Sequence, residues 1–350
     1  MKSILARIMA VLLGAMVALG IAELAVRTLS PQMIGDVVFG YDEELGAIPV
    51  PHQRGRKTSP QGQSYSFSHN ASGFRGSREY GPRKQAAFRV LFLGDSFTYG
   101  LGVNDEETLP QQVENILQAR HYSVEVINAG NPGAGTDYEL KFLQTLGPKL
   151  KPDLVVVCFF WNDFYDNAEG EHFSLVQGEL VPQKPHSLTA KKARVENMPV
   201  IGWLLSWSHA ANLIKVTTVN LLKRPGKPVN RERYSLKDAG YDRSLTEKLL
   251  GQMVKTAKAL GSGIMFFYLP DEGQVKLYKA SGEISHYEQD FGAMMRGLHE
   301  QPYSLTPALS QVPGDIELPY WGHYRAGTNL AAAQYISGPV EGWLKDRPRP

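Results

Sequence analysis

An α/β fold with a central parallel sheet, covered by helices on both faces, is predicted by three features of this 350-residue chain. From residue 88 onward, short apolar runs alternate with segments long enough to form helices. One run, LVVVCFF within residues 153–160, has no polar interruption, as a central strand buried on both faces requires. The intervening segments repeat apolar residues at helical spacing, for example Leu109, Val113, Ile116 and Leu117. Strands and helices alternating in this way build a three-layer domain.

Taken in order, strands are expected at 88–93, 124–127, 153–160 and 263–268, and helices at 108–120, 136–146, 245–260 and 326–344. Residues 28–86, rich in Gly, Pro, Ser, Arg and Gln, read as an extended leader on the surface with few regular elements. Within it, Asn70-Ala71-Ser72-Gly73-Phe74-Arg75-Gly76 reads as a turn. The main domain covers 87–350, with an insertion at about 165–240 where the rhythm breaks. Inside the insertion, residues 197–222 are strongly apolar, with Ile201, Trp203, Leu204, Leu205, Trp207, Leu213, Ile214 and Val216, and helical in character. A lid over the site, a membrane-surface contact and an extra core helix all suit this stretch. Inward packing is the expectation, because clustered apolar residues usually pack inward. No internal repeat is present.

At the N-terminus, Lys2 and Arg7 precede an apolar run from Ile8 to about Val26, interrupted by Glu23 and followed by Arg27. A membrane span needs about 20 apolar residues, whereas a cleaved signal has a shorter core and a small-residue cleavage site. Ala18-Leu19-Gly20 offers such a site, yet the apolar character continues through Ile21, Leu24 and Val26. An uncleaved anchor over residues 1–27 is therefore expected, with Glu23 reaching the interface at its outer end. Two cations before the run against one after it place the N-terminus in the cytoplasm and the remaining chain outside it.

Lys and Arg number 37 against 35 Asp and Glu, so composition supplies no field for nucleic acid, and no nucleic-acid partner is expected. The basic runs at 54–57 and 191–194 are short and read as solvated loop charge. Cys158 is the only cysteine, which excludes an intrachain disulfide and a cysteine-based metal cage. Its apolar neighbours mark it as a buried residue rather than a nucleophile. His52, His69, His121, His172, His186, His209, His286 and His299 lack metal-ligand spacing and read as surface or loop residues. Neither metal nor cofactor is expected.

The chemistry-bearing residues fall at the ends of the expected strands. Ser96 lies in VLFLGDSFTYG, where an apolar strand stops at Gly-Asp-Ser. The crevice outside the carboxyl ends of strands is where open α/β sheets bind ligands. The second strand ends in Asn128-Ala129-Gly130, where a glycine permits a tight turn and exposes its N–H. The third ends in Trp161-Asn162-Asp163, which offers a side-chain amide as donor. His323 stands on a loop just before the last helix, a suitable place for a general base. Ester hydrolysis through serine needs a nucleophile, a base and donors aimed at the developing oxyanion.

Taken together, these positions resemble the SGNH hydrolase superfamily, also called GDSL esterases and lipases. The likeness spans roughly residues 70–345 and includes the Asn70-x-x-Gly73-Phe74-Arg75 segment common in membrane-anchored bacterial members. It implies a three-layer, flavodoxin-like SGNH hydrolase fold. It further implies Ser96 as nucleophile, Gly130 and Asn162 as oxyanion-hole donors beside the Ser96 N–H, and His323 as base. The implied protein is a serine esterase on the outer side of a bacterial inner membrane, in the periplasm, held by its N-terminal helix. Phe97, Tyr99 and Trp161 beside these positions suggest an aromatic-walled, sugar-compatible site. A short-acyl ester, such as an O-acetyl carbohydrate, is therefore the expected substrate. If a sugar hydroxyl replaces water, the same apparatus is an O-acyltransferase of a glycan. A weakly catalytic carbohydrate-binding or assembly protein that keeps the fold is the alternative from another class.

One departure bears on mechanism. The family usually carries an aspartate two or three residues before the histidine, and those places here hold Trp321 and Tyr320. The expectation is a Ser-His dyad whose histidine is oriented by the backbone carbonyl of Tyr320 or Trp321. Asp163, Asp271, Asp315 and Glu317 are the carboxylates to test against it, and Asp95 and Asp163 are expected to hydrogen-bond their own turns.

Overall fold

The computed structural model describes residues 2–36, 38–81, 87–169, 172–185, 193–195, 197–222, 241 and 243–347. His186, Lys191, Lys192 and the 223–240 part of the insertion lie outside the described residues. The chain begins with the helix α1 (Lys2–Leu29) and continues into two antiparallel hairpins, β1 (Phe39–Asp42) with β2 (Gly46–Pro49) and β3 (Arg54–Thr58) with β4 (Ser64–Ser68). The α/β alternation follows as β5 (Phe88–Gly94), α2 (Ser96–Tyr99), α3 (Leu109–Ala119), β6 (Val124–Asn128), α4 (Thr136–Leu150) and β7 (Leu154–Phe160). Next come α5 (Asp163–Glu169), the hairpin of β8 (Phe173–Val176) and β9 (Glu179–Pro182), α6 (Pro199–Trp207) and α7 (His209–Leu222). The chain ends through α8 (Arg243–Ala259), β10 (Gly263–Leu269), α9 (Glu272–Ser281), α10 (His286–Gly297), β11 (Pro302–Ser304), α11 (Thr306–Leu309) and α12 (Ala326–Lys345).

The five strands of the central sheet run parallel in the order β11-β10-β7-β5-β6. Alternation along each strand divides the core in two. Leu91, Leu93, Val155, Val157 and Phe159 face one side, packed against Leu143 of α4, Leu249 and Met253 of α8 and Phe291 of α10. Val90, Phe92, Val156, Cys158 and Phe160 face the other, against Leu109, Val113 and Leu117 of α3 and Ala332, Ile336 and Val340 of α12. The continuous apolar run of β7 is thus explained, since every residue in it is buried. This is the three-layer α/β architecture expected of an SGNH hydrolase, and Cys158 is buried as expected.

Two expectations are corrected. The leader is not short of regular elements, for it forms two hairpins, and its carboxyl end is wired into the core. Asn70 Oδ1 accepts from the Ser72 and Phe74 N–H groups at 2.9 and 3.0 Å, which turns the chain and sends Phe74 into the core. Arg75, almost fully buried, donates to Asp105 at 2.5 Å and to the Val103 carbonyl at 2.8 Å. Its guanidinium also lies 4.6 Å from the Tyr99 ring centroid. The second correction concerns the stretch 197–222, which splits at Ser208 into α6 and α7 instead of packing inward. No residue of α6 is buried. Both faces of the sheet are already covered by α3 and α12 and by α4, α8 and α10, so no apolar face is left to receive it.

Among the described residues, α1 is the one helix long and apolar enough to cross a membrane, and none of its apolar window is buried.

Candidate active site

Ser96 opens the short helix α2 directly after β5, where Asp95 caps the helix by accepting from the Phe97 N–H at 2.8 Å. Ser96 is half-buried at the carboxyl edge of the sheet. Its Oγ lies 2.7 Å from His323 Nε2. On the other side of the ring, His323 Nδ1 lies 2.5 Å from the Trp321 carbonyl oxygen. A carbonyl can only accept, so Nδ1 carries the proton and the Nε2 lone pair faces the serine hydroxyl.

The histidine ring is held by aromatic packing. Phe97 lies against it with centroids 4.7 Å apart, and Phe97 in turn stacks on Phe160 at 4.1 Å. The loop beneath is closed by the Leu318 N–H donating to the His323 carbonyl at 2.7 Å. Tyr320 adopts a left-handed backbone at φ 70° and leaves its side chain 60% exposed. Trp321 is buried against the leader hairpin. Its ring meets Tyr65 edge-on at 5.3 Å, and Lys57 Nζ lies 5.7 Å from its centroid. The residue whose carbonyl faces Nδ1 is therefore gripped by residues some 260 positions earlier in the chain.

Asn162 is half-buried just beyond β7, and its Nδ2 donates to Asp166 Oδ2 at 2.7 Å. That carboxylate decides which end of the amide is nitrogen. Gly130 lies just beyond β6 and packs so tightly on α2 that a Cβ would sit 2.3 Å from the Tyr99 nitrogen. Its N–H donates to Asn128 Oδ1 at 3.1 Å. Three residues on, Gly133 has φ +82° with open space around it, in a turn closed by the Ala134 N–H donating to the Asn131 carbonyl at 2.9 Å. Ser96 and His323 are thus brought together, with Asn162 on the next strand end, while Gly130 is engaged within its own turn.

Carboxylates cluster behind Ser96. Burial pushes Asp95 up to about 7, against the pull of the Phe97 N–H and the Asn162 side chain. Burial likewise raises Glu139 and Asp163, and the neighbouring carboxylates push each further. Both Glu139 oxygens are buried without a hydrogen-bond partner among the described residues. Asp163 accepts from Thr136 Oγ1 at 3.0 Å, and Asp271 caps α9 through the Gln274 N–H at 2.7 Å. Asp315 pairs with Lys276 at 3.2 Å, and Glu317 accepts from the Glu272 N–H at 2.9 Å.

Several sequence expectations change here. Phe97 and Tyr99 are buried, so they build the core under the site and do not wall a substrate pocket. His69, His172 and His209 are buried rather than exposed. His69 bonds the Tyr99 hydroxyl at 2.8 Å and the Val50 carbonyl at 3.0 Å, and burial pushes its pKa down to about 4. His172 joins Asp137 at 3.1 Å. No group of three or more potential metal ligands exists among the described residues. Sequence reasoning missed Tyr65 and Asp166, and it gave Arg75 only as part of a family segment and Lys57 only as loop charge, with no role at the site. Only Asp166 left a local signal, one helical turn after Asn162.

The family described as GDSL-like Lipase/Acylhydrolase matches residues 92–281, more than half of the chain, and the chain belongs to that family. Among solved structures, it is similar to TesA, with 14% identity and a TM-score of 0.43 over 73% of this chain and 98% of that one. A lipase/acylhydrolase from Enterococcus faecalis is 15% identical, with a TM-score of 0.43 over 73% of this chain and 96% of that one. The acetyl xylan esterase AlAXEase is 13% identical, with a TM-score of 0.43 over 72% of this chain and 100% of that one. No curated protein matches.

Proposed function

We propose that the chain is a serine ester hydrolase in which Ser96 is the nucleophile and His323 the general base. The observation that carries this reading is the relay from the Trp321 carbonyl through His323 to Ser96, with contacts of 2.5 and 2.7 Å. His323 Nε2 takes the Ser96 proton as Oγ attacks an ester carbonyl, and returns it to the departing alcohol. Water then attacks the acyl-enzyme by the same route. The Trp321 backbone carbonyl facing His323 Nδ1 supports reading the machinery as a dyad. A carbonyl fixes the tautomer, which is the larger part of what a triad carboxylate does.

Oxyanion donors are assigned to the Ser96 N–H, the Asn162 amide and the turn at 130–133, each contributing about 3 kcal/mol to the transition state. Asn162 Nδ2 donates to Asp166 and its amide also steadies Asp95, so the oxyanion would draw on an amide already held in place by two carboxylates. Gly130 is the sequence's choice in the turn. Its amide is engaged by Asn128, so Gly133, whose N–H has no partner among the described residues, is the better placed of the two.

Short acyl groups, acetyl first, are the proposed substrates, as on an O-acetylated envelope carbohydrate. The apolar stretch best suited to walling a fatty chain packs on α1 and beside β3 instead, and the exposed Tyr320 ring next to Trp321 offers a sugar a stacking surface. The 1–27 segment is read as an uncleaved anchor holding residues 87–350, the catalytic domain, on the periplasmic side, with 28–86 as its leader. A fluorophosphonate probe tests the chemistry: labelling at Ser96, lost in Ser96→Ala, supports a hydrolase, and an unreactive Ser96 in folded protein removes it. Faster turnover of dodecanoyl than acetyl esters below the micellar limit would remove the acyl preference.

A further inference from the structure

The helices α6 and α7 present a different problem from the rest of the molecule, because many of their large apolar side chains are left uncovered although α7 packs on α1. From 199 to 222 the only Lys, Arg, Asp or Glu is Lys215. Along α6, Val200 is 68% exposed, Trp203 61% and Trp207 39%. On α7, Ile214 is 67% exposed and Leu221 79%. A helix apolar on all sides is ordinarily buried in a protein core or in lipid. With nine residues, α6 is too short to cross a bilayer, which needs about 20.

What fixes these helices in place is the carboxyl end of α1. Glu23 accepts from Ser208 Oγ at 2.7 Å and from the His209 and Ala210 N–H groups at 3.0 Å each, so it caps α7. One turn later, Arg27 pairs with Glu23 and donates to the Trp207 carbonyl, at the end of α6, at 3.1 Å. Each charge meets the helix terminus whose dipole it complements. The two charged groups that interrupt or follow the apolar run of α1 therefore clamp the α6–α7 junction to the end of that run.

We infer that α6 and α7 form an interfacial lipid-binding element, lying in the headgroup and upper acyl region of the bilayer beside the point where α1 emerges. The inference rests on reading α1 as a membrane helix. The occupant is lipid because α7 packs on α1, none of whose apolar window is buried, and leaves its own apolar side chains exposed beside it. Trp203 and Trp207 are the residue type that favours the membrane–water boundary. Between α6 and β3 opens a cavity of about 230 Å³ lined by Asp36, Arg54, Arg56, Gly202, Leu205 and Lys215. Lys215 pairs with Asp36 at 3.8 Å, and Arg54 and Arg56 of β3 add positive charge beside the apolar helix, which complements anionic headgroups over acyl chains.

The test uses the full chain in liposomes, with spin labels placed singly through Leu13→Cys, Trp203→Cys, Ile214→Cys and Lys258→Cys. Cys158 is buried with its thiol pKa raised, so it does not compete for label. Oxygen, which partitions into lipid, and a water-soluble nickel chelate then report the surroundings. Labels at 13, 203 and 214 are expected to relax faster with oxygen, and the label at 258 with nickel. Lipid exposure at 13 but water exposure at 203 and 214 overturns the inference and leaves the anchor intact. Water exposure at 13 as well overturns the anchor reading and the inference with it. Protection from both agents at 203 and 214 shows a protein cover, such as a second copy, and also overturns the inference.

Discussion

Two regions of this molecule handle polar groups among apolar neighbours in opposite ways. At the sheet edge, Asp95, Glu139 and Asp163 are fully enclosed, and burial raises all three toward the neutral form. At the corner of α1, α6 and α7, Glu23 and Arg27 stay partly exposed, pair with each other and grip helix ends, while apolar side chains point outward. The edge is finished by its own protein, so its chemistry is set by internal packing. The corner is unfinished until another medium covers it.

If the edge is self-sufficient, the largest effects come from changes to the two groups proposed to react. Ser96→Ala and His323→Ala are each expected to lower kcat on a soluble acetyl ester by roughly 10⁶-fold with little change in melting temperature. Alanine at Asp163, Asp271, Asp315 or Glu317 should cost far less, because each carboxylate already serves a local partner. Should any of them match His323→Ala while the fold survives, that residue is a relocated triad acid and the dyad proposal fails. Asn162→Ala is expected next, at ~10²–10³ in kcat with KM nearly unchanged. Wild-type kcat in that variant would remove Asn162 from the oxyanion site.

How much of each region was legible follows from the range of its contacts. The sheet was legible because strand burial is written in consecutive residues, as in Leu154–Phe160. The placement of Ser96, Asn162 and His323 was legible because each stands at the end of a locally coded element. The enclosure of Trp321 by Tyr65 and Lys57 was not, since a pairing across some 260 residues leaves no periodicity. The leader hairpins were hidden for a related reason: β3, Arg-Gly-Arg-Lys-Thr, reads as solvated charge until its partner β4 is known. The 197–222 stretch was read as helical but placed wrongly, because apolar composition tells that a surface is covered and not by what.

Arg75 links the leader to the edge and sharpens the contrast with the exposed pair at the corner. Its buried guanidinium reaches the Gly100 carbonyl at 3.3 Å, at the end of α2, as well as Val103 and Asp105. Arg75→Met should lower stability by about 3 kcal/mol, read from urea midpoints, because it leaves the partly exposed Asp105 carboxylate and the Gly100 and Val103 carbonyls without their buried donor. A loss no larger than that of an exposed pair, under about 1 kcal/mol, would show that the leader only rests on the domain.

The smallest effect expected concerns the enclosed carboxylates and depends on pH. Asp95 rises from an ordinary 3.8 to about 7 in the folded protein, so the folded chain holds its proton more tightly than the unfolded chain does. That contribution to stability is full below about 4 and is lost as pH rises toward 7. Glu139, raised by burial and by the charges of Asp95 and Asp137, acts with the same sign. Its oxygens have no hydrogen-bond partner among the described residues, so Glu139→Gln removes a buried acid without breaking a bond. Wild-type melting temperature should therefore fall between pH 4 and 7, and Glu139→Gln should fall less, the two curves meeting near pH 4 and parting by a few degrees at neutrality. Parallel curves would mean that water reaches Glu139, and the edge would then be no more enclosed than the corner.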